Sequence, residues 1–237
     1  MNRFYVLPEF INENIIMITG QDVNHVKNVL RLKPEDELVC FDGKGTEYLC
    51  SITSIEKDLV KTRIISSKKA DTEPAVKITL VQALPKSSKM DYIIQKAVEL
   101  GVHKIIPVST ERTIAKGTKL ERWKKIAKEA SEQCGRAIIP EVSLTMNFNE
   151  FLCMSMNFDL KLIPWENEKQ ISLKSVLKKH SDAQNIALLI GPEGGFSAQE
   201  VKEAVEQGFK PVSLGKRILR AETAGVAAIA MITYEIS

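Results

Sequence analysis

The sequence predicts an α/β protein in two parts. Residues 1–70 form a small β-barrel or sandwich, and residues 74–237 form a mainly parallel sheet with helices on both faces. Three observations carry this reading. The first part shows short alternating apolar stretches separated by turn residues. The segment Lys68–Pro74 is polar, charged and closed by a proline, as a linker is. Beyond it, apolar runs of strand length alternate with helical periodicities.

In the first part the strand candidates are Arg3–Leu7, Glu37–Phe41, Glu47–Ile55 and Leu59–Ile65. Asp42-Gly43-Lys44-Gly45 separates two of them as a hairpin turn does. A helical stretch around Val23–Leu30 interrupts the pattern.

In the second part Val76–Ala83 reads as a strand. Ser88 and Asp91 then make a capping-box pattern, and Met90, Ile93, Ile94, Ala97 and Val98 give the following helix one apolar face. Gly101 ends it, and His103–Val108 is the next strand. Leu120–Cys134 is a helix, with Trp123, Ile126, Ala127, Ala130 and Cys134 at helical spacing and the lysines elsewhere. Asn147–Asn157 reads as a linker. Asp159–Ile163 and Asn185–Ile190 are short strands. Ser197 with Glu200 is a second capping box, opening a helix that stops at Gly208. Pro211–Leu214 is the last strand and Ala221–Ile236 the last helix.

Composition narrows the function classes. With 237 residues and 44% hydrophobic content, a sizeable core is possible. No apolar run is long enough to cross a bilayer, and the N-terminus lacks a signal peptide's apolar core, so a cytoplasmic protein is expected. Cys40, Cys50, Cys134 and Cys153 form no C-x-x-C pair and are expected to be reduced thiols. His25, His103 and His180 are scattered, so no metal site is expected. The net charge of +3 says little about nucleic acid. Its distribution says more, because Arg112, Lys116, Lys119, Arg122, Lys124, Lys125 and Lys128 fall together against the single acid Glu121. That block reads as a phosphate-binding patch or as a solvated helix face, and charge alone does not choose.

Two loops near the C-terminus carry the functional signal. Ile190-Gly191-Pro192-Glu193-Gly194-Gly195-Phe196-Ser197 and Leu214-Gly215-Lys216-Arg217-Ile218-Leu219-Arg220-Ala221-Glu222-Thr223-Ala224 each follow a short strand and open a helix. Glycines there let a ligand approach backbone closely, beside the free N–H groups of a helix start. Ser197 is read as a cap alone. Neither loop is G-x-G-x-x-G or G-x-x-x-x-G-K-[ST], so Rossmann and P-loop readings fail on spacing. The small residues Ala221, Ala224, Gly225, Ala227, Ala228 and Ala230 give the last helix a closely approachable face, for packing within the subunit or for a homodimer.

With these pieces in order, the chain resembles the 16S rRNA uridine-N3 methyltransferases (the RsmE family) of the SPOUT class. The resemblance runs through Arg3-Phe4-Tyr5-Val6, His25-Val26, Val29-Leu30-Arg31-Leu32, Phe41-Asp42-Gly43-Lys44-Gly45 and Gln82-Ala83-Leu84-Pro85-Lys86 with Met90-Asp91. It continues through Gln95–Val102, Glu111-Arg112, Arg122–Ile126 and Glu129–Arg136, and ends in the two glycine loops. Each piece is weak alone, and their order and spacing are specific together.

The resemblance implies a PUA-like RNA-binding barrel in residues 1–70 and a SPOUT methyltransferase domain with a trefoil knot in residues 74–237. Periodicity does not suggest a knot, since knots are rare. It implies S-adenosyl-L-methionine as cofactor, a homodimer, and one uridine of the 16S rRNA decoding region as target, presented by the 30S subunit. The first cofactor loop maps to Ile190, Gly191, Glu193, Gly194 and Gly195. The second maps to Leu214, Gly215, Ile218, Leu219, Thr223 and Ala224. Leu162, Ile163 and Pro164 stand where a third wall is expected, and Trp165 is either an adenine-stacking surface or a packing aromatic.

Methylation at N3 requires loss of the N3 proton and stabilisation of the resulting anion. Arg220 is the candidate for charge stabilisation, because a guanidinium stays cationic. Glu222 is the candidate base or orienting group, or else a helix-start carboxylate paired with Arg220. Arg3, Arg31, Lys86, Arg112, Lys116, Arg122, Lys125 and Arg136 are the candidate RNA contacts. The competing readings are a SPOUT enzyme for another RNA position, a non-catalytic RNA-binding or ribosome-assembly protein of this fold, and a phosphate- or nucleotide-binding metabolic enzyme.

Overall fold

The computed structural model describes residues 1–86, 89–114 and 117–236. Its chain divides into two compact units. One comprises residues 1–73 with Ser131–Ile139, and the other comprises residues 74–130 and those from Pro140 onward. A boundary read from composition at residues 70–74 does not include the return of Ser131–Ile139 to the first unit. That return is fixed by backbone pairing: Gly45 N donates to Ala137 O at 3.1 Å, and Lys44 bridges Ile138.

The first unit is a five-stranded sheet of β1 (Arg3–Tyr5), β2 (Ile15–Thr19), β3 (Glu37–Phe41), β4 (Thr46–Ile55) and β5 (Leu59–Lys69), ordered β1-β3-β4-β5-β2. Alternation along β2 and β3 turns Ile16, Ile18, Leu38 and Cys40 inward onto Phe4, Val26, Cys50, Ile52 and Val60. The helical stretch expected at Val23–Leu30 is a single α-turn, α1 (Gln21–Asn24), continued as a π-turn over His25–Val29. Strand β2 was not foreseen. The hairpin turn at residues 42–45 is stabilised by Asp42, whose carboxylate accepts from the N–H groups of Lys44 at 2.8 Å and Thr46 at 2.9 Å. Burial pushes the Asp42 carboxyl up, but these backbone donors win and hold it below the ordinary value.

The second unit carries β6 (Lys77–Ala83), α2 (Lys89–Glu99), β7 (Lys104–Ser109) and α3 (Leu120–Cys134), whose last residues belong to the first unit. It continues with β8 (Glu141–Val142), β9 (Met146–Asn147), α4 (Phe148–Met154), β10 (Leu160–Pro164), α5 (Leu173–Lys179) and β11 (Asn185–Ile190). It closes with α6 (Ala198–Glu206), β12 (Lys210–Val212) and α7 (Ala221–Ile236). The strands lie in the order β12-β10-β11-β6-β7-β8, with β9 also on β7, and every pair is parallel. The central strands read as continuous apolar runs because both faces are covered: Ile186 through Ile190 are all buried. The stretch read as a linker contains α4, opened by a capping box in which Asn147 accepts from Glu150 N at 2.8 Å. Ser88, expected to cap α2, lies outside the described residues. Among the described residues no helix is long and apolar enough to cross a membrane.

Candidate functional site

In a parallel sheet all strands end on one side, and ligands bind outside those carboxyl ends. Here β12, β10 and β11 are neighbours, so the chain leaving each of them converges on one place. The cavity there has a volume of about 490 Å³, within the range of small-molecule sites. Its walls are Pro164–Glu166 after β10, Ile190–Phe196 after β11 and Ser213–Ala221 after β12, with Lys89 of α2 and Ala224 of α7. The segment after β10 is tied to β12, since Trp165 N donates to Val212 O and Ser213 N to Ile171 O.

Glycine is required in each loop for a separate reason. Gly195 has φ +67°, and a Cβ there would stand 2.7 Å from Glu166 Oε1. Gly215 has φ +123°, and its Cβ position faces open space. The first loop runs into α6, where Ser197 and Glu200 cap one another as the spacing predicts, at 3.2 and 2.9 Å. Arg112 braces this loop by donating from Nη1 to Gly194 O at 2.8 Å. The second loop runs into α7, whose first bonds go from Thr223 N and Ala224 N to Arg220 O.

Sequence reading missed Lys89. Its Nζ lies 3.1 Å from Glu193 Oε1 and 3.3 Å from Glu222 Oε2, so one cation joins the first loop to the start of α7. The hydrogen bond that Lys89 donates to Glu193 leads in raising the Lys89 pKa, with Glu222 adding to it. Burial pushes the Glu193 carboxyl up, but a backbone N–H of its own residue, Lys89 and the Lys86 N–H together hold it below the ordinary value. The signal for Lys89 was a basic residue at the start of a helix beside two glycine loops, which is common enough to pass unnoticed.

Most expected cofactor residues line this cavity: Pro164, Ile190, Gly191, Glu193, Gly194, Gly195, Leu214, Gly215, Ile218, Leu219 and Ala224. Three do not. Leu162 and Ile163 are 0% exposed, because β10 is an interior strand and both of its faces point into core. Thr223 faces solvent on α7. Arg220 lines the cavity and makes no ion pair among the described residues, whereas Glu222 stands behind the wall on Lys89, not on Arg220.

The expected RNA contacts separate by environment. Arg136 is 3% exposed and grips Glu73, with Nε 3.1 Å from Oε1. A buried, paired guanidinium is a structural strut, which corrects its reading as a phosphate contact. Arg3 is half-buried on Glu47 at 2.6 Å, with its guanidinium 5.5 Å from the Phe41 ring centroid. Arg31, Lys86, Arg112, Arg122 and Lys125 are exposed, with Arg122 on Asp91 at 2.6 Å. Lys116 lies outside the described residues. No cluster of three or more His, Cys, Asp or Glu side chains suited to a metal occurs among the described residues.

A strand-end cavity with two glycine walls, in a chain that also carries a separate small β unit, defines a class, and comparison with known proteins agrees. Residues 72–233 match the RNA methyltransferase domain and residues 18–65 match the RNA methyltransferase PUA domain. The protein is therefore an RNA methyltransferase with a PUA-like domain on a mixed α/β fold. The ribosomal RNA small subunit methyltransferase E of Bacillus subtilis (strain 168) is 34% identical over 228 residues, covering 92% of this chain and 89% of the relative. That of Synechocystis sp. is 35% identical, covering 97% and 76%. The crystal structure of a ribosomal RNA small subunit methyltransferase E from Neisseria gonorrhoeae bound to S-adenosyl methionine is 38% identical, with TM-score 0.91 over 99% of this chain and 97% of that one. The chain belongs to the ribosomal RNA small subunit methyltransferase E family.

Proposed function

We propose that this protein methylates N3 of one uridine in the 16S rRNA decoding region of the 30S subunit, using S-adenosyl-L-methionine. The observation that carries the reading is the cavity itself: two glycine loops and a third strand end enclose a nucleoside-sized space with Arg220 on its wall. The residues present fit that cofactor. The Gly215 Cβ position is open, Trp165 Nε1 is buried without a partner, and the Glu166 carboxylate lies on the wall without a partner among the described residues. When bound, the cofactor supplies an electrophilic methyl group on a sulfonium.

The chain's own groups do the rest. The loop backbones of Gly191–Gly195 and Leu214–Leu219 hold the ligand. Arg220 offers a permanent cation to the negative charge that develops on the base. Glu222, paired with Lys89 behind that wall, accepts or relays the N3 proton. Exposed Arg31, Lys86, Arg112, Arg122 and Lys125, with Lys116, contact RNA phosphates. Residues 1–70 act as the RNA-binding PUA-like domain and residues 74–237 as the SPOUT domain, knotted as a trefoil.

The same reading makes the enzyme a cytoplasmic homodimer. Its support is the exposed face of α7, where Thr223, Met231 and Tyr234 accompany the small Ala227 and Ala230, and Tyr234 is 86% exposed. The deciding experiment incubates the protein with methyl-labelled cofactor and 30S particles lacking the modification, then maps the label by nuclease digestion and mass spectrometry. Label at N3 of a single 16S uridine is expected. Label at another position would replace the target, and cofactor binding without transfer to any RNA would replace the activity.

A further inference from the structure

The wall after β10 presents two unspent polar groups in consecutive residues. Glu166 lines the cavity, and its carboxylate has no hydrogen-bond or ion-pair partner among the described residues. Only its backbone oxygen is engaged, by Lys169 Nζ. The carboxylate lies against the first glycine loop, where a Cβ on Gly195 would meet both of its oxygens, at 2.7 and 3.3 Å. The other anions of the wall are spent. Glu168 accepts from the N–H groups of Gln170 at 2.6 Å and Ile171 at 2.8 Å, and Glu193 holds Lys89. Beside Glu166, the indole Nε1 of Trp165 is buried with no acceptor. A buried donor without a partner is a rare and unfavourable state.

The geometry points to Glu166 as the residue that reads the ribose of the cofactor, its carboxylate accepting from the vicinal hydroxyls. This inference rests on the proposed use of S-adenosylmethionine. That cofactor carries two groups able to donate to a carboxylate, the ribose diol and the α-ammonium of the methionine tail. An ammonium presents its donors from a single nitrogen. A vicinal diol presents two donor oxygens side by side, one for each oxygen of a carboxylate. A carboxylate on ribose hydroxyls is a familiar use of that group in other nucleotide sites. The arrangement also explains the first loop, since any side chain at position 195 would push Glu166 away.

The test measures binding of S-adenosylhomocysteine and of 5′-methylthioadenosine by titration calorimetry. The second ligand keeps adenine and ribose but has no amino-acid tail. Glu166→Ala should weaken both by about ten- to a hundredfold, and Glu166→Gln, which keeps one acceptor, by less. Glu166 is exposed and unpaired, so an unchanged thermal midpoint is expected in both variants. Loss confined to S-adenosylhomocysteine would overturn the ribose assignment and move Glu166 to the ammonium. Unchanged affinity for both ligands would overturn any ligand contact by Glu166. Failure of the unaltered protein to bind either ligand would overturn the inference together with the cofactor reading beneath it, a result distinct from the other two.

Discussion

Lys89, the first residue of α2, holds Glu222, the second residue of α7, with Nζ 3.3 Å from Oε2. The same ammonium holds Glu193 at 3.1 Å. Removing it would leave two carboxylates near one another with no cation between them. Glu193 would then titrate at higher pH, because it loses the cation that helps to lower it and keeps a like charge nearby. In the intact protein Glu193 titrates below its ordinary value, so its pairing holds at neutral pH and dissolves only as pH falls through that lowered value. Lys89→Met should therefore move the acid limb of the rate profile upward and slow single-turnover methylation about tenfold or more at neutral pH. Lys89→Arg should recover most of the rate. A profile that keeps its shape and position in Lys89→Met would mean that the Lys89 ion pairs do not set the acid limb.

Gly195→Ala should reduce cofactor affinity and also stability. A non-glycine residue at φ +67° is strained by about 1–2 kcal/mol, and the new Cβ would displace the Glu166 carboxylate. Urea denaturation reads the loss of stability and cofactor titration the loss of affinity. An affinity loss without a stability loss would place the whole consequence on Glu166.

Arg220→Ala tests charge stabilisation directly. Its side chain is exposed on the cavity wall and unpaired among the described residues, so the fold should be indifferent to the change. Transfer should slow by about a hundredfold or more while cofactor affinity changes little, as expected for a group whose charge matters in the transition state. Equal losses in rate and cofactor affinity would make Arg220 a binding residue.

These residues also show which parts of the molecule the sequence could reveal. Long periodic elements were legible, and Leu120–Cys134, Asn185–Ile190 and Ala221–Ile236 coincide with their structural bounds. Each signals one buried face, or burial on both, through a run long enough to repeat. The Ser197–Glu200 box was legible because its two hydrogen bonds are local. What the sequence could not reveal was pairing across distance. Arg136 looks like surface charge until Glu73, 63 residues away, is seen to bury it. Leu162 and Ile163 belong to the right strand, but the sheet turns both into core. Lys89 has no sequence pattern tying it to residues more than 100 positions away.

The Arg136–Glu73 pair makes a prediction about stability. Arg136 has a side-chain exposure of 4% and Glu73 of 27%. Removing the acid alone takes a carboxylate from a buried guanidinium, so Glu73→Ala should destabilise the first unit by up to about 3 kcal/mol, the low end for a broken buried pair given Glu73's partial exposure. Replacing both, with Arg136→Met, should recover part of the loss. Denaturant unfolding of the four proteins in the cycle measures the coupling. Additive losses would show that the guanidinium finds water or another acceptor when Glu73 is gone.

Burial also decides which cations can neutralise RNA. Arg136 and the half-buried Arg3 have close, shielded carboxylate partners, while Arg31 is exposed and Lys125 is exposed with a loose 3.8 Å pair to Glu129 among its contacts. Affinity for 30S particles should fall steeply with added salt, because each neutralised phosphate releases counterions. Arg31→Ala and Lys125→Ala should each weaken binding at every salt concentration and flatten the log–log slope by about 1, the share of one neutralised phosphate. Arg3→Met should leave the slope alone, since a paired guanidinium releases no phosphate counterion, and should show its effect in unfolding instead. A slope changed by Arg3→Met but not by Arg31→Ala or Lys125→Ala would reverse this division. It would require the Glu47 pair to open when RNA binds.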